Sequence, residues 1–130
     1  DTEKTFPEHL AFFMLHHLHH PERTALFHQI EERLSTTGQG IQLLFSELYR
    51  IRRQRLRIII RMTESYLVDI HSSMTTRDYL ASIWSLTYGA AVILNSSFYQ
   101  RYLGSRDTLR VAYIEQALAM PKQLEQVAAS

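Results

Sequence analysis

From Phe6 onward, apolar residues recur at intervals of three and four, the spacing that lines one side of an α-helix. Pro7 and Glu8 suit the first turn of a helix running to about His19, which Pro21 prevents from continuing. A second helix is expected from about Glu22 to Leu34, with Phe27, Ile30 and Leu34 as its apolar stripe and the glycines of "STTGQG" (35–40) ending it. The third, about Ile41 to Ile70, has no internal breaker. Its run Ile58, Ile59, Ile60 has the composition of a buried strand, but the flanking residues keep the helical period. Thr75, with Asp78 three residues on, opens a fourth helix reaching about Ser96. A fifth starts after Gly104–Ser105, with Asp107 in its first turn, and runs to about Met120, where Pro121 is expected to stop it and leave a frayed tail at 122–130. The pattern predicts an all-α antiparallel bundle of five helices, with residues 1–130 forming one domain.

The third helix carries "YRIRRQRLRIIIR" at 49–61, six arginines in thirteen positions. At 100° per residue, Arg50, Arg53, Arg57 and Arg61 fall within about 80° of one another and form a polar face, for which solvation is the ordinary explanation. Arg52 and Arg55 point instead into the apolar face built from Leu44, Leu48, Ile51, Met62 and Tyr66. A guanidinium keeps its charge, so there it must snorkel outward, pair with a carboxylate such as Glu31 or Glu32, or meet an anionic ligand. As a nucleic-acid motif the stretch lacks a helix-turn-helix, an aromatic platform and a glycine loop.

The first helix, "EHLAFFMLHHLHH", is apolar nearly all round and is expected to be buried. His17 sits in the stripe of Leu10, Phe13, Met14 and Leu18, where it either packs or lines a pocket. His16 and His20, at i and i+4, have the spacing of two metal ligands, but no acidic residue joins them and no H-E-x-x-H pattern occurs. Capping of terminal carbonyls is the plainer role, and no metal is expected. The fourth helix has Leu80, Ile83, Trp84, Tyr88, Ala91 and Leu94 on one side and Tyr79, Leu86, Ala90 and Ile93 roughly on the other, so it should pack against two layers. Gly89 in mid-helix costs about 1 kcal/mol relative to Ala, which implies a close approach by another backbone. With Leu109, Ala112, Tyr113 and Ala117 of the fifth helix, these residues would make a four-helix interface between two protomers.

Bulk composition narrows the classes further. The chain is 45% hydrophobic and 21% charged, which is globular, and its formal net charge of +1 makes any basic effect local. The absence of cysteine excludes a disulfide framework, a thiolate metal site and a cysteine nucleophile. No apolar run has the length of a membrane span and no signal peptide is evident, so a cytoplasmic protein is expected. No nucleophile–base spacing, phosphate loop or carboxylate pair points to an enzyme or a cofactor. The start at Asp1 is expected to mark a fragment or processed product.

A buried helix ending in "HHPER", a long helix with "LYRIRRQRLRIII", then "TTRDYLASIWSLTYGAAVILNS" and "SRDTLRVAYIEQAL" resemble, in this order, the C-terminal domain of the tetracycline-repressor (TetR) family of bacterial transcription regulators. The resemblance covers about residues 6–120, and the family's N-terminal helix-turn-helix has no counterpart in this chain. It implies an effector-sensing, dimerising domain of a transcriptional repressor that would reach DNA only through that other domain. It puts dimerisation on 76–97 and 107–120, at Leu80, Ile83, Trp84, Gly89, Ala91, Leu94, Leu109, Ala112, Tyr113 and Ala117. The effector, apolar or aromatic and conceivably anionic, would lie among Phe13, His17, Phe27, Leu48, Arg52, Arg55, Met62, Tyr66 and Tyr88. The competing readings are a helical protein-interaction module and a histidine-based metal-binding bundle.

Overall fold

The computed structural model describes the backbone of residues 4–37 and 42–129, and the side chains of 4–33 and 50–122. Six helices follow one another, α1 (Phe6–His19), α2 (Pro21–Thr37), α3 (Gln42–Asp69), α4 (Thr76–Asn95), α5 (Ser97–Leu103) and α6 (Arg106–Ala129), with no strand among the described residues. The fold is all-α, as the periodicity predicts, with one helix more than expected.

The helix ends show why the chain breaks where it does. Thr5 caps α1, its hydroxyl accepting the Glu8 N–H at 3.4 Å, and Pro7 sits in the first turn. At the other end the orphan carbonyls are taken up from distant helices. Thr24 donates to the His17 carbonyl at 2.9 Å and Arg110 Nε to the Leu18 carbonyl at 2.9 Å. The end of α3 is closed by His71 in the left-handed region (φ 55°), with Ser72 N–H on the Leu67 carbonyl at 2.9 Å and His71 N–H on the Val68 carbonyl at 3.0 Å. Thr75 caps α4 by accepting the Asp78 N–H at 3.1 Å. Ser96 both ends α4 and starts the seven-residue α5, its N–H bonded to the Ile93 carbonyl and its hydroxyl accepting the Tyr99 N–H.

The middle of the bundle is α4, which packs on α1, α2, α3, α5 and α6. Its small residues Ala90 and Ala91 are buried in the core. Leu10, Met14 and Leu18 of α1 form one buried stripe against it, each worth about 1.5–3 kcal/mol of burial. Two expectations about faces are corrected here. The helix α1 is one-sided, with Phe12 and Leu15 exposed. The helix α2 turns its small and polar side inward, burying Thr24 and setting His28 against Tyr88, so that Leu26, Phe27 and Ile30 face outward.

Pro121 does not end the last helix; α6 continues through it to Ala129. A proline inside a helix lacks the N–H that the carbonyl four residues back would receive. That carbonyl, Ala117's, accepts the Tyr79 hydroxyl at 2.8 Å instead, and the Pro121 carbonyl accepts the Ser72 hydroxyl at 3.0 Å.

Candidate ligand-binding cavity

Three helices line an apolar cavity of about 230 Å³ that is open to solvent on one side. From α1 come Phe6, His9, Leu10 and Phe13; from α3, Ile59, Met62 and Thr63; from α4, Leu80, Ile83 and Trp84. Each set follows i, i+3, i+4, so each helix gives the cavity one narrow stripe. Tyr66 stands behind the wall, stacked on Phe6 at 4.5 Å with the planes 23° apart, and burial pushes its phenol pKa up. Ile59 and Trp84, 40% and 37% exposed, form the rim.

The polar groups at this cavity are few. Thr63 is buried and its hydroxyl proton goes to the Ile59 carbonyl at 2.7 Å, leaving only acceptor capacity. The side chains of His9 and Trp84 have no hydrogen-bond partner among the described residues. None of the ten lining residues is a carboxylate, lysine or arginine. The arrangement can desolvate an apolar molecule and offer it one or two hydrogen bonds; nothing in it resembles a nucleophile with its base.

Of the residues expected to bind ligand, the structure brings Phe13 and Met62 to the cavity, with Tyr66 next to it. His17 packs edge-on to Phe13 at 4.5 Å but does not line the cavity. The Thr24 proton is committed to the His17 carbonyl, so Thr24 can only accept from His17 Nδ1–H, at 3.2 Å. Burial first, and the neighbouring His16 second, lower the His17 pKa. Phe27 faces outward, 63% exposed. Arg52 pairs with Glu31, outside the cavity, and Tyr88 lies beside that pair against His28 at 4.9 Å. Burial mainly, then Glu31, raises the Tyr88 pKa while Arg52 opposes. Arg55 is exposed on α3 and reaches no cavity wall. Leu48 lies outside the residues whose side chains are described.

The expected dimer residues divide in a similar way. Leu80, Ile83, Ala91, Leu94 and Ala117 are buried within the single chain and present no surface to a partner in this arrangement. Leu109 and Tyr113 pack partly on the core. Trp84, Gly89 and Ala112 remain exposed, and among the described residues a Cβ built on Gly89 would meet nothing within 4 Å. The physical reason is the central place of α4: five helices cover it, so most of its apolar residues are used inside the protomer.

Lining the cavity but absent from the residues expected to bind ligand are Phe6, His9, Leu10, Ile59 and Thr63, together with Leu80, Ile83 and Trp84, which the resemblance puts at the dimer interface. Their i, i+3, i+4 spacing was visible; which stripes meet depends on how the helices are stacked. Among the described residues no group of three or more His, Asp or Glu side chains is placed to hold a metal ion, and no helix is long and apolar enough to cross a membrane. No family model matches the chain, and neither does any curated protein or solved structure.

Proposed function

We propose that this chain is the effector-binding and dimerising domain of a bacterial transcription regulator, acting in the cytoplasm, with DNA contact made by a separate helix-turn-helix domain. The observation that carries the reading is the apolar cavity walled by α1, α3 and α4, a small-molecule site in type and placement between helices of a bundle. Because α4 supplies one wall and also touches every other helix, a ligand there is positioned to shift the packing of the whole domain. The expected order of helices in the tetracycline-repressor resemblance supports the same assignment.

Dimerisation is proposed for the outer side of α4 and α6, where Gly89, Val92, Val111 and Ala112 are exposed. Among the described residues nothing lies within 4 Å of a Cβ built on Gly89, so there the helix carries a glycine's cost of about 1 kcal/mol with no close neighbour to explain it. A second backbone lying against it supplies one. Light scattering tests this: a dimer at micromolar concentration is expected, and Gly89→Arg, which meets open space within the protomer, should give a folded monomer. A wild type that is monomeric across that range refutes the dimer.

A second reading, a helical protein-interaction module, is favoured by one feature. Phe98, Tyr99, Tyr102 and Leu103 of α5 are all exposed, and the Phe98 ring contacts those of Tyr99 and Tyr102.

A further inference from the structure

Resting on the reading of the cavity as an effector site, the geometry points to the chemical class of its ligand: we infer an uncharged molecule of one substituted ring, or two small fused rings, carrying a single hydrogen-bonding group that His9 and Trp84 receive. Size follows from volume. An apolar cavity of about 150 Å³ accommodates benzene, so 230 Å³ corresponds by proportion to roughly nine non-hydrogen atoms. That is well below the roughly 300–1,000 Å³ of sites for drug-sized ligands.

Charge follows from the lining. An ion brought into an apolar site needs a counter-charge or dense hydrogen bonding, and the cavity wall has no Asp, Glu, Lys or Arg. The two arginines that sequence placed on this face are elsewhere: Arg52 is held by Glu31, and Arg55 is in solvent. A carboxylate ligand therefore finds no guanidinium, and an ammonium finds no carboxylate.

The single polar group follows from what is left unpaired. The Thr63 proton is already used. His9, half-buried on α1, and Trp84, at the exposed rim on α4, border the same space, and neither side chain has a hydrogen-bond partner among the described residues. Trp84 is a donor only, whereas a neutral imidazole has one donor and one acceptor. A hydroxyl satisfies both, accepting from one and donating to the other; a purely hydrocarbon ligand satisfies neither.

Isothermal titration calorimetry at pH 8 with 4-methylphenol, toluene, 4-methylbenzoate and 4-methylbenzylammonium tests each element. The phenol is expected to bind at least about 100-fold more tightly than either ion, as an unpaired buried charge demands. It should also bind about fivefold to tenfold more tightly than toluene, as one hydrogen bond provides. His9→Leu should reduce that second preference. Either ion binding as well as the phenol overturns the ligand class while leaving the cavity as a binding site. An unchanged preference in His9→Leu overturns the role of His9. If neither neutral probe binds, while circular dichroism shows the helices intact, the effector site itself is refuted.

Discussion

The Tyr79 hydroxyl donates to the Ala117 carbonyl across 38 residues of sequence, and that oxygen is the one Pro121 leaves without its helical N–H. Tyr79 is fully buried, and burial together with nearby Tyr66 holds its phenol pKa far above the ordinary value.

Removing the hydroxyl in Tyr79→Phe therefore leaves a buried carbonyl unpaired and should cost about 1–3 kcal/mol in chemical denaturation. Pro121→Ala returns an N–H to the same carbonyl, so Tyr79→Phe should cost clearly less in that background. Additive effects would show that the two residues do not share the oxygen. The folded-state pKa lies above the unfolded one, so this contribution is complete below about pH 10 and is lost as pH rises beyond it. Wild-type stability should fall above pH 10 more steeply than that of Tyr79→Phe.

At the end of α3, His71 holds a left-handed conformation that costs a residue with a Cβ about 1–2 kcal/mol. Its replacement by glycine should raise the thermal midpoint, with a gain of about 1 kcal/mol once glycine's greater chain entropy is subtracted. A lower midpoint would mean that the His71 side chain contributes more than its backbone costs.

Thr87 is buried on α4 and its hydroxyl has no hydrogen-bond partner among the described residues. Val replaces the oxygen with a methyl of similar shape, so Thr87→Val should be neutral or stabilising by about 1 kcal/mol in urea titration. A loss of more than about 1 kcal/mol would reveal a bond to that hydroxyl.

Much of the helical layout is visible in the sequence because its signals are local. The cap at Thr75 and the breaker at Pro21 act on neighbours within one turn, and α1 to α4 begin and end within about three residues of where such signals place them. Pro121 misleads because the donor that rescues its helix is on α4, and α5 is missed because seven residues are too few for a helical period to stand out. The cavity was partly legible. Phe13 and Met62 follow from helical phase, but phase does not say which neighbour a stripe meets, so Leu80, Ile83 and Trp84 were read as facing a partner. For Arg52 and Arg55 the sequence leaves pairing with Glu31 or Glu32, snorkelling and ligand contact open; the structure pairs Arg52 with Glu31 and leaves Arg55 exposed.

Charge removal at these arginines should accordingly do little. The Arg52–Glu31 pair is largely exposed, and such pairs contribute up to about 1 kcal/mol. Arg52→Met and Arg55→Met should bind neutral ring compounds as wild type does in calorimetry, with stability changed by less than about 1 kcal/mol. A tenfold loss of ligand affinity in either would return that arginine to the site.

Trp84 is the single tryptophan of the chain and lies at the cavity rim, so its emission reports directly on occupancy. The decisive measurement is the fluorescence of the dialysed protein during titration with 4-methylphenol, beside the Ile59→Phe variant, whose larger ring obstructs the mouth. A saturable change in the wild type that is lost or shifted at least about tenfold in the folded variant is the expected result. Emission that changes only linearly with concentration, identically in both proteins, would contradict the claim that the space between α1, α3 and α4 receives a ligand.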